Sequence, residues 1–191
     1  TKEIMEKQNL TACTMRCFDL VTTLQTTGCL ALSRLIDEGI IAGCEGDIPT
    51  TLTMLFMHLM TGETPFMANP QEVNGADNTL WVAHCTVARN LLTQYTLRSH
   101  FESDLGVGIQ GTIAPQKITL ARIGGRDLSQ LFVANGEMVE NGSDSQRCRT
   151  QLKLRLDESV DYFLSNPLGN HHVVIRGHHK EALLEYYNLF K

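Results

Sequence analysis

A succession of short strand-like segments separated by turn residues fills the chain after residue 64 and constrains its fold most strongly. In the segment 148–156, side chains expected inside the fold alternate strictly with polar ones expected outside. Leu152 and Leu154 are expected to face inward, while Gln151 and Lys153 face outward. Gly-Gly at 124–125 and Asn-Gly at 135–136 and 141–142 predict turns. The predicted strands are 65–68, 79–85, 107–113, 117–123, 131–139 and 148–156. Such a series predicts a closed or nearly closed antiparallel β-barrel.

The part before residue 48 has a different pattern. A strand at 11–17, a helix at 27–38 and a buried strand at 40–44 follow the order of an α/β unit. The helix predicted at 49–60 is apolar nearly all round, which is typical of burial on several sides. A helical turn at 157–164, a strand at 171–175 and a helix at 180–190 end the chain. We therefore predict an α+β fold, with an α/β remnant over 1–47 and a barrel domain with flanking helices over 48–191.

Composition and charge exclude several classes of function. The 42% hydrophobic and 19% charged residues are those of a globular protein, and the net charge of −5 gives no electrostatic footprint for nucleic acid. The apolar run 52–60 is too short to span a bilayer. The six cysteines have no disulfide-framework or zinc-ligand spacing, and no signal-peptide pattern is present. We expect free thiols in a cytoplasmic protein without a membrane partner, and the helix-like start after Thr1 suggests the cut edge of a longer chain.

Two carboxylates lie at the junction between the predicted strand 40–44 and the helix 49–60. Glu45 and Asp47 are placed where acids can hold a divalent cation or move a proton. Asp47 also precedes Pro49, a spacing that suits a residue capping the helix. The two interpretations are compatible, and both remain open at this point.

Histidines in or beside predicted strands are the other candidate ligands. His84 ends one strand, and His171 and His172 begin another. Adjacent residues on a strand point to opposite faces, so at most one of His171 and His172 is expected to face a given site. Carboxylate and imidazole ligands together suit Mn²⁺, Fe²⁺, Co²⁺ or Zn²⁺. The remaining histidines are interpreted as structural (His58, His100) or solvated (His178, His179).

Six short segments carry a resemblance that extends along the whole chain. They are RCFD at 16–19, TGCLAL at 27–32, DEGI at 37–40, CEGD at 44–47, AHCT at 83–86 and NPLGNHH at 166–172. In combination they resemble the C-terminal part of L-fucose isomerase and L-arabinose isomerase-like sugar isomerases, most closely a branch related to fucose isomerase.

The resemblance implies a metal-dependent aldose–ketose isomerase acting on a sugar of the L-fucose, D-arabinose or L-arabinose type, with Mn²⁺ or another divalent cation. It implies Glu45 and Asp47 as catalytic acids and metal ligands, and His84 with His171 or His172 as further ligands. Asn170 is expected to contact the substrate. A second catalytic acid is expected near 27–29, where this chain has none, and Asp19 is a poor substitute.

The resemblance also implies a homo-oligomer, a trimer or hexamer, in which neighbouring subunits form the active site. The missing acid leaves a second interpretation open, that of a catalytically inactive homologue that binds a sugar or another metabolite. A third interpretation is a purely structural oligomerisation domain, which would bind neither metal nor sugar.

Overall fold

The structure is a computed structural model, and it describes residues 1–190. The helices are α1 (Lys2–Lys7), α2 (Cys17–Leu24), α3 (Cys29–Asp37), α4 (Ile48–Thr61), α5 (Tyr162–Ser165) and α6 (Lys180–Asn188). The strands are β1 (Ala12–Thr14), β2 (Ile41–Gly43), β3 (Phe66–Asn74), β4 (Thr79–His84), β5 (Gln94–Arg98), β6 (Gly108–Thr112), β7 (Gln116–Gly124), β8 (Gln130–Gly142), β9 (Thr150–Leu156) and β10 (His172–Arg176).

The N-terminal part is a small α/β layer. Strands β1 and β2 pair in parallel, with Ala12 opposite Ile41. The intervening helix α3 buries Leu32, Leu35 and Ile36, the apolar stripe that its sequence predicts. The predicted strand 11–17 is shorter than expected, because the chain leaves the extended conformation after Thr14 and begins α2 at Cys17.

Helix α4 lies between this layer and the barrel. It begins where the Asp47 side chain accepts a hydrogen bond from the Thr50 N–H, and it ends at Gly62 in the left-handed conformation (φ +73°). Met54 and Met57 are fully buried. Thr53 accepts a hydrogen bond from the Ile123 N–H of β7 (3.0 Å), which ties the helix to the barrel wall.

A closed six-stranded barrel forms the body of the molecule, and this confirms the predicted α+β fold class. The strand order around the barrel is β10-β3-β4-β9-β8-β7, and every pairing is antiparallel. Leu120, Leu152 and Leu154 fill the interior with no solvent exposure or almost none. Because closure leaves no unpaired edge, the short strands support one another all the way round.

Several local expectations are wrong. Both Asn-Gly pairs, at 135–136 and 141–142, lie inside β8 instead of turning the chain. The Asn135 side chain accepts hydrogen bonds from Thr119 Oγ1 (3.0 Å) and the Lys180 N–H (3.2 Å), and Gly136 leaves room for the backbone of β9. Gln151, expected outside, is 2% exposed because it donates to the carbonyls of Asp144 and Cys148 in the loop that covers it. The strand predicted at 107–113 is β6, and it lies outside the barrel, where it pairs with β5. Neither β5 nor α2 was expected from the sequence.

Within residues 1–190, no helix has both the length and the apolar character needed to cross a membrane. The boundary expected at residue 47 stays a prediction, because α4 packs on both the small layer and the barrel.

Candidate functional site

The turn between β2 and α4 carries the two carboxylates and has an unusual backbone. Glu45 and Gly46 both adopt left-handed conformations, with φ of +58° and +69°. This region is unfavourable for a side chain such as glutamate, and strained residues of this kind cluster at functional sites. The two left-handed residues turn the chain sharply, so that the Glu45 side chain reaches the histidines of the barrel rim while Asp47 caps α4.

Asp47 is held by four hydrogen-bond donors. Its Oδ1 accepts from the Thr50 N–H (2.9 Å), and its Oδ2 accepts from Thr50 Oγ1 (2.8 Å), Arg122 Nη1 (2.9 Å) and His171 Nδ1 (3.0 Å). The capping interpretation is therefore confirmed. Burial opposes ionisation, but the hydrogen bonds from His171 and Thr50 and the charge of Arg122 lower the pKa of Asp47 to about 2.

The two rim histidines lie close together because β3 alone separates their strands in the barrel. His84 ends β4, and His171 immediately precedes β10; their ring centroids are 5.3 Å apart. His84 Nε2 lies 3.8 Å from Glu45 Oε1, and His171 Nε2 lies 3.5 Å from Glu45 Oε2. His84 Nδ1 shares a hydrogen bond with Thr86 Oγ1 (2.8 Å), as His171 Nδ1 does with Asp47. Each ring is thus oriented through Nδ1 and directs Nε2 toward Glu45.

Glu45 and the two histidines could contribute ligands to a divalent cation, with each Nε2 facing a different oxygen of the Glu45 carboxylate. His171 Nε2 is buried and has no hydrogen-bond partner among the described residues. Two ligands that each lie about 2.1 Å from one ion are roughly 3 to 3.5 Å apart; the separation between Glu45 and His171 is 3.5 Å and that between Glu45 and His84, at 3.8 Å, is longer. Orientation of a ligating imidazole through its other nitrogen is the usual arrangement at metal sites. The Cys44 thiol also lies near, since its sulfur and ligand atoms of Glu45 and His84 are all within 4.8 Å of one another.

The charges at the site are set by these contacts. The close approach of the imidazole of His171 and then of His84 holds the pKa of Glu45 far below its ordinary range, against the effect of burial. Burial disfavours the charged form of His171, but the contacts with Asp47 and Glu45 outweigh it and raise its pKa. The carboxylates are therefore ionised at neutral pH.

His172 is buried on the opposite face of the strand. It contacts Tyr162, Phe132 and Phe163, and its Nε2 lies 3.1 Å from the Tyr162 hydroxyl. Burial lowers its pKa to about 3, so the ring is neutral. His171 faces Glu45 and His172 faces the opposite side, and this agrees with the alternation of side chains along a strand. Asn170 lies at the exposed rim and donates from Nδ2 to Asn69 Oδ1 (2.6 Å).

A pocket opens beside Glu45 and His84. It also contains His100 and Glu102 from the loop between β5 and β6, with His100 Nε2 3.9 Å from Glu102 Oε2. Five of the six cysteines line it (Cys17, Cys29, Cys44, Cys85, Cys148). His100, interpreted from sequence as structural, thus faces the pocket. The close spacing of the imidazole and the carboxylate at 100 and 102 is the only sequence signal that could have indicated this. His58 caps the end of α4, with Nδ1 2.9 Å from the Glu63 carbonyl oxygen, as a structural role predicts.

Arg122 is a site residue that sequence reasoning missed. It is 5% exposed and contacts Asp47, Thr50 Oγ1 and the His171 carbonyl oxygen (3.0 Å). Gly169 lies directly over its guanidinium, and a Cβ there would overlap the group. The available signal is a lone arginine in the apolar run of β7, since a charge in such a position requires a buried partner.

Comparison with known proteins gives distant relatives. The sequence matches no protein-family model. It is 27% identical over 146 residues to a sulfoquinovose isomerase of Alkalicoccus urumqiensis, covering 73% of this chain and 33% of the relative. It is 22% identical over 193 residues to one of Priestia aryabhattai, covering 96% of this chain and 43% of the relative. A protein of the same name from Clostridium sp. (strain MSTE9) is 30% identical over 87 residues, 45% of this chain and 20% of the relative. The chain thus spans about a third to two fifths of the length of the first two relatives.

Proposed function

We propose that this chain carries the metal centre of an aldose–ketose sugar isomerase. The observation that carries the proposal is the convergence of the Glu45 carboxylate with the Nε2 atoms of His84 and His171, each ring oriented through its other nitrogen. The distant relatives, which are named as isomerases of a sugar, support the same class of reaction.

Glu45, His84 and His171 would hold the cation, Mn²⁺ or another divalent ion. A bound cation of this kind polarises the carbonyl and the neighbouring hydroxyl of an aldose. The two carboxylate oxygens of Asp47 already accept hydrogen bonds from four donors. Through these contacts Asp47 orients His171 and compensates the charge of Arg122. A role for Asp47 as a direct ligand or proton shuttle would require Oδ2 to release some of these contacts. The orientation of His171 is therefore the role that we propose for it.

Isomerisation also needs a group that moves the proton between C1 and C2. Thr27 and Cys29 line the pocket, but neither is an acid, and Asp19 pairs with Arg16 (3.0 Å). Glu102 lines the pocket with Glu45 and lies beside His100. We propose that Glu102 takes the proton from C2 and returns it to C1, while Glu45 carries the hydroxyl proton from O2 to O1.

The charge of the pocket favours a neutral sugar. Of the described residues that line it, none is lysine or arginine, whereas two are glutamate. A sulfonate is recognised by cationic groups, so this portion of the site has no partner for that group of sulfoquinovose. We therefore propose a neutral aldose of the L-fucose, D-arabinose or L-arabinose type, with Asn170 at the rim contacting its hydroxyls.

The test is metal analysis and isomerase assay of the protein in its natural length. We expect it to retain or bind Mn²⁺ and to interconvert one of these aldoses with its ketose. Glu45→Gln should lower kcat/KM by at least about 100-fold and reduce bound metal. Glu181→Gln, on the exposed face of α6, is the matched control and should change neither. Wild-type activity and metal content in Glu45→Gln would contradict the proposed metal centre. Turnover of sulfoquinovose, without turnover of any of these neutral aldoses, would contradict the proposed substrate class.

A second candidate function is sugar or metabolite binding without turnover. The absence of an acid at 27–29 favours it. Saturable binding of an aldose without ketose formation, in protein loaded with Mn²⁺, would support this function over isomerisation.

We also propose that the full-length protein forms a trimer or hexamer, as the resemblance implies. Light scattering coupled to size-exclusion chromatography would measure its mass, and a monomer would contradict this.

A further inference from the structure

Two of the pocket thiols are in direct contact. Cys17 is the first residue of α2, and Cys44 lies between β2 and the Glu45 turn. Their Sγ atoms are 2.8 Å apart, and the side chains are 6% and 3% exposed. A disulfide bond is about 2.05 Å long, so the sulfurs need to approach by less than about 1 Å to form one.

Either thiol can act as the nucleophile of the pair. The two sulfurs share one hydrogen bond, in which either atom can be the donor. A thiolate formed at one of them therefore lies directly beside a second thiol that can resolve its oxidation product. Both residues line the pocket, which gives a small oxidant a route to them.

We propose that Cys17 and Cys44 are a modification site, at which a hydroperoxide converts the two thiols into an intramolecular disulfide. The Cys17 thiolate attacks one oxygen of hydrogen peroxide; the O–O bond breaks, and the leaving hydroxide takes up a proton to become water. The product is Cys17 sulfenic acid. The Cys44 sulfur then attacks the Cys17 sulfur, the S–O bond breaks, and the leaving hydroxide takes up the proton of the Cys44 thiol and departs as a second molecule of water. Two thiols are oxidised and one peroxide is reduced, so electrons and atoms balance.

The bond would join α2 to the segment that carries Glu45. In the reduced protein the Cys44 sulfur lies within 4.8 Å of ligand atoms of Glu45 and His84. In the oxidised protein that sulfur is bonded to Cys17 and can no longer serve as a thiolate next to the carboxylate. The covalent chemistry at these two sulfurs does not depend on the proposed isomerase function.

The experiment is disulfide mapping of the natural-length protein. Reduced, metal-free protein is treated with a small excess of hydrogen peroxide, denatured, alkylated and digested without reductant. We expect the alkylated thiols within this chain to fall from six to four, with one cross-linked peptide that joins Cys17 to Cys44. Dithiothreitol should restore all of them, because a disulfide is reversible whereas sulfinic acid is not.

Two variants serve as controls. Cys13→Ser removes a half-buried cysteine that does not line the pocket, and it should leave the cross-linked peptide in place. Cys17→Ser should abolish the peptide and leave Cys44 open to alkylation. The disulfide map of the wild-type protein tests the proposal even if a variant fails to fold. Full alkylation of both Cys17 and Cys44 after oxidation would overturn the proposal, and so would a disulfide confined to Cys85 and Cys148, the other thiol pair of the pocket.

Discussion

At the scale of the residue, Asp47 links helix α4 to the candidate metal centre. Its carboxylate contacts the first turn of α4, the guanidinium of Arg122 and the imidazole of His171, with only 16% of the side chain exposed. The Arg122 side chain is 6% exposed. A buried charge of this kind is stable only while its partner is present.

Asp47→Asn should therefore destabilise the protein by about 3 kcal/mol, because Arg122 keeps its charge and loses the group that compensates it. Urea unfolding monitored by circular dichroism measures the change. Asp19→Asn is the matched control, since Asp19 pairs with Arg16 on the surface (3.0 Å, 55% exposed) and should change stability by less than about 0.5 kcal/mol. Equal losses in the two variants would contradict the role assigned to Asp47.

The pH dependence of stability follows from the same carboxylate. The pKa of Asp47 is about 2 in the folded protein and 3.8 ordinarily, so the unfolded chain binds the proton more readily. Its stabilising contribution is present above pH 3.8 and is lost as the pH falls toward 2. The shift corresponds to about 2 kcal/mol. In metal-free protein we expect stability to fall across this window, and to fall less steeply in Asp47→Asn. Parallel curves for the two proteins would argue against it.

The capping role of Asp47 could be predicted because it depends on residues three positions apart in the sequence. The partnership with Arg122 could not, because it joins positions 75 residues apart that only barrel closure brings together. Likewise, alternation predicts that only one of His171 and His172 faces the site. The choice between them depends on the register of β10 against β3, in which His172 lies opposite Ala68.

At the scale of the element, the contact between β2 and α4 positions the Glu45 turn. Gly43, the last residue of β2, lies against the first turns of the helix. A Cβ at this position would overlap the Thr51 side chain and lie 3.3 Å from Thr14 Oγ1. The glycine therefore allows the strand and the helix to approach closely, which brings the turn to the barrel rim.

Gly43→Ala should destabilise the protein by about 1 to 3 kcal/mol, since the helix must move to accommodate the added methyl group. Gly75→Ala provides the control, because a Cβ there meets only Asp161 Oδ1, at 3.3 Å, in an exposed turn. Chemical denaturation of both variants gives the comparison. Our account of this contact would be wrong if the two alanines were equally well tolerated.

Long elements with a strong periodicity were predictable, as α3, α4 and β9 illustrate. The Asn-Gly pair at 135–136 was not, because the same dipeptide that favours a turn serves here as an anchor for α6 and as a close contact with β9. Strand β5 was missed because all five of its residues are exposed, so it has no apolar face that could produce an alternating pattern.

At the scale of the whole molecule, the candidate ligands come from two parts of the fold. Glu45 belongs to the turn that follows the α/β layer, whereas His84 and His171 belong to adjacent regions of the barrel rim. The barrel itself could be predicted from its succession of strands. The pocket could not, because the loop with His100 and Glu102 reaches it from a ribbon outside the barrel.

A cation bound by all three ligands would join the layer to the barrel, and the unfolded chain does not bring these ligands together. Mn²⁺ should therefore stabilise the folded protein, by about 2.7 kcal/mol at a concentration 100-fold above its Kd. Differential scanning calorimetry with Mn²⁺ and with a chelator measures this as a rise in Tm. In His84→Ala the rise should largely disappear, because the barrel then contributes a single ligand. In His178→Ala it should persist, since His178 is exposed and its hydrogen bond is with the Gly136 carbonyl oxygen (3.0 Å), away from Glu45. A metal-dependent rise of equal size in both variants would show that Mn²⁺ stabilises the fold from another site, and Glu45, His84 and His171 would then not be its ligands.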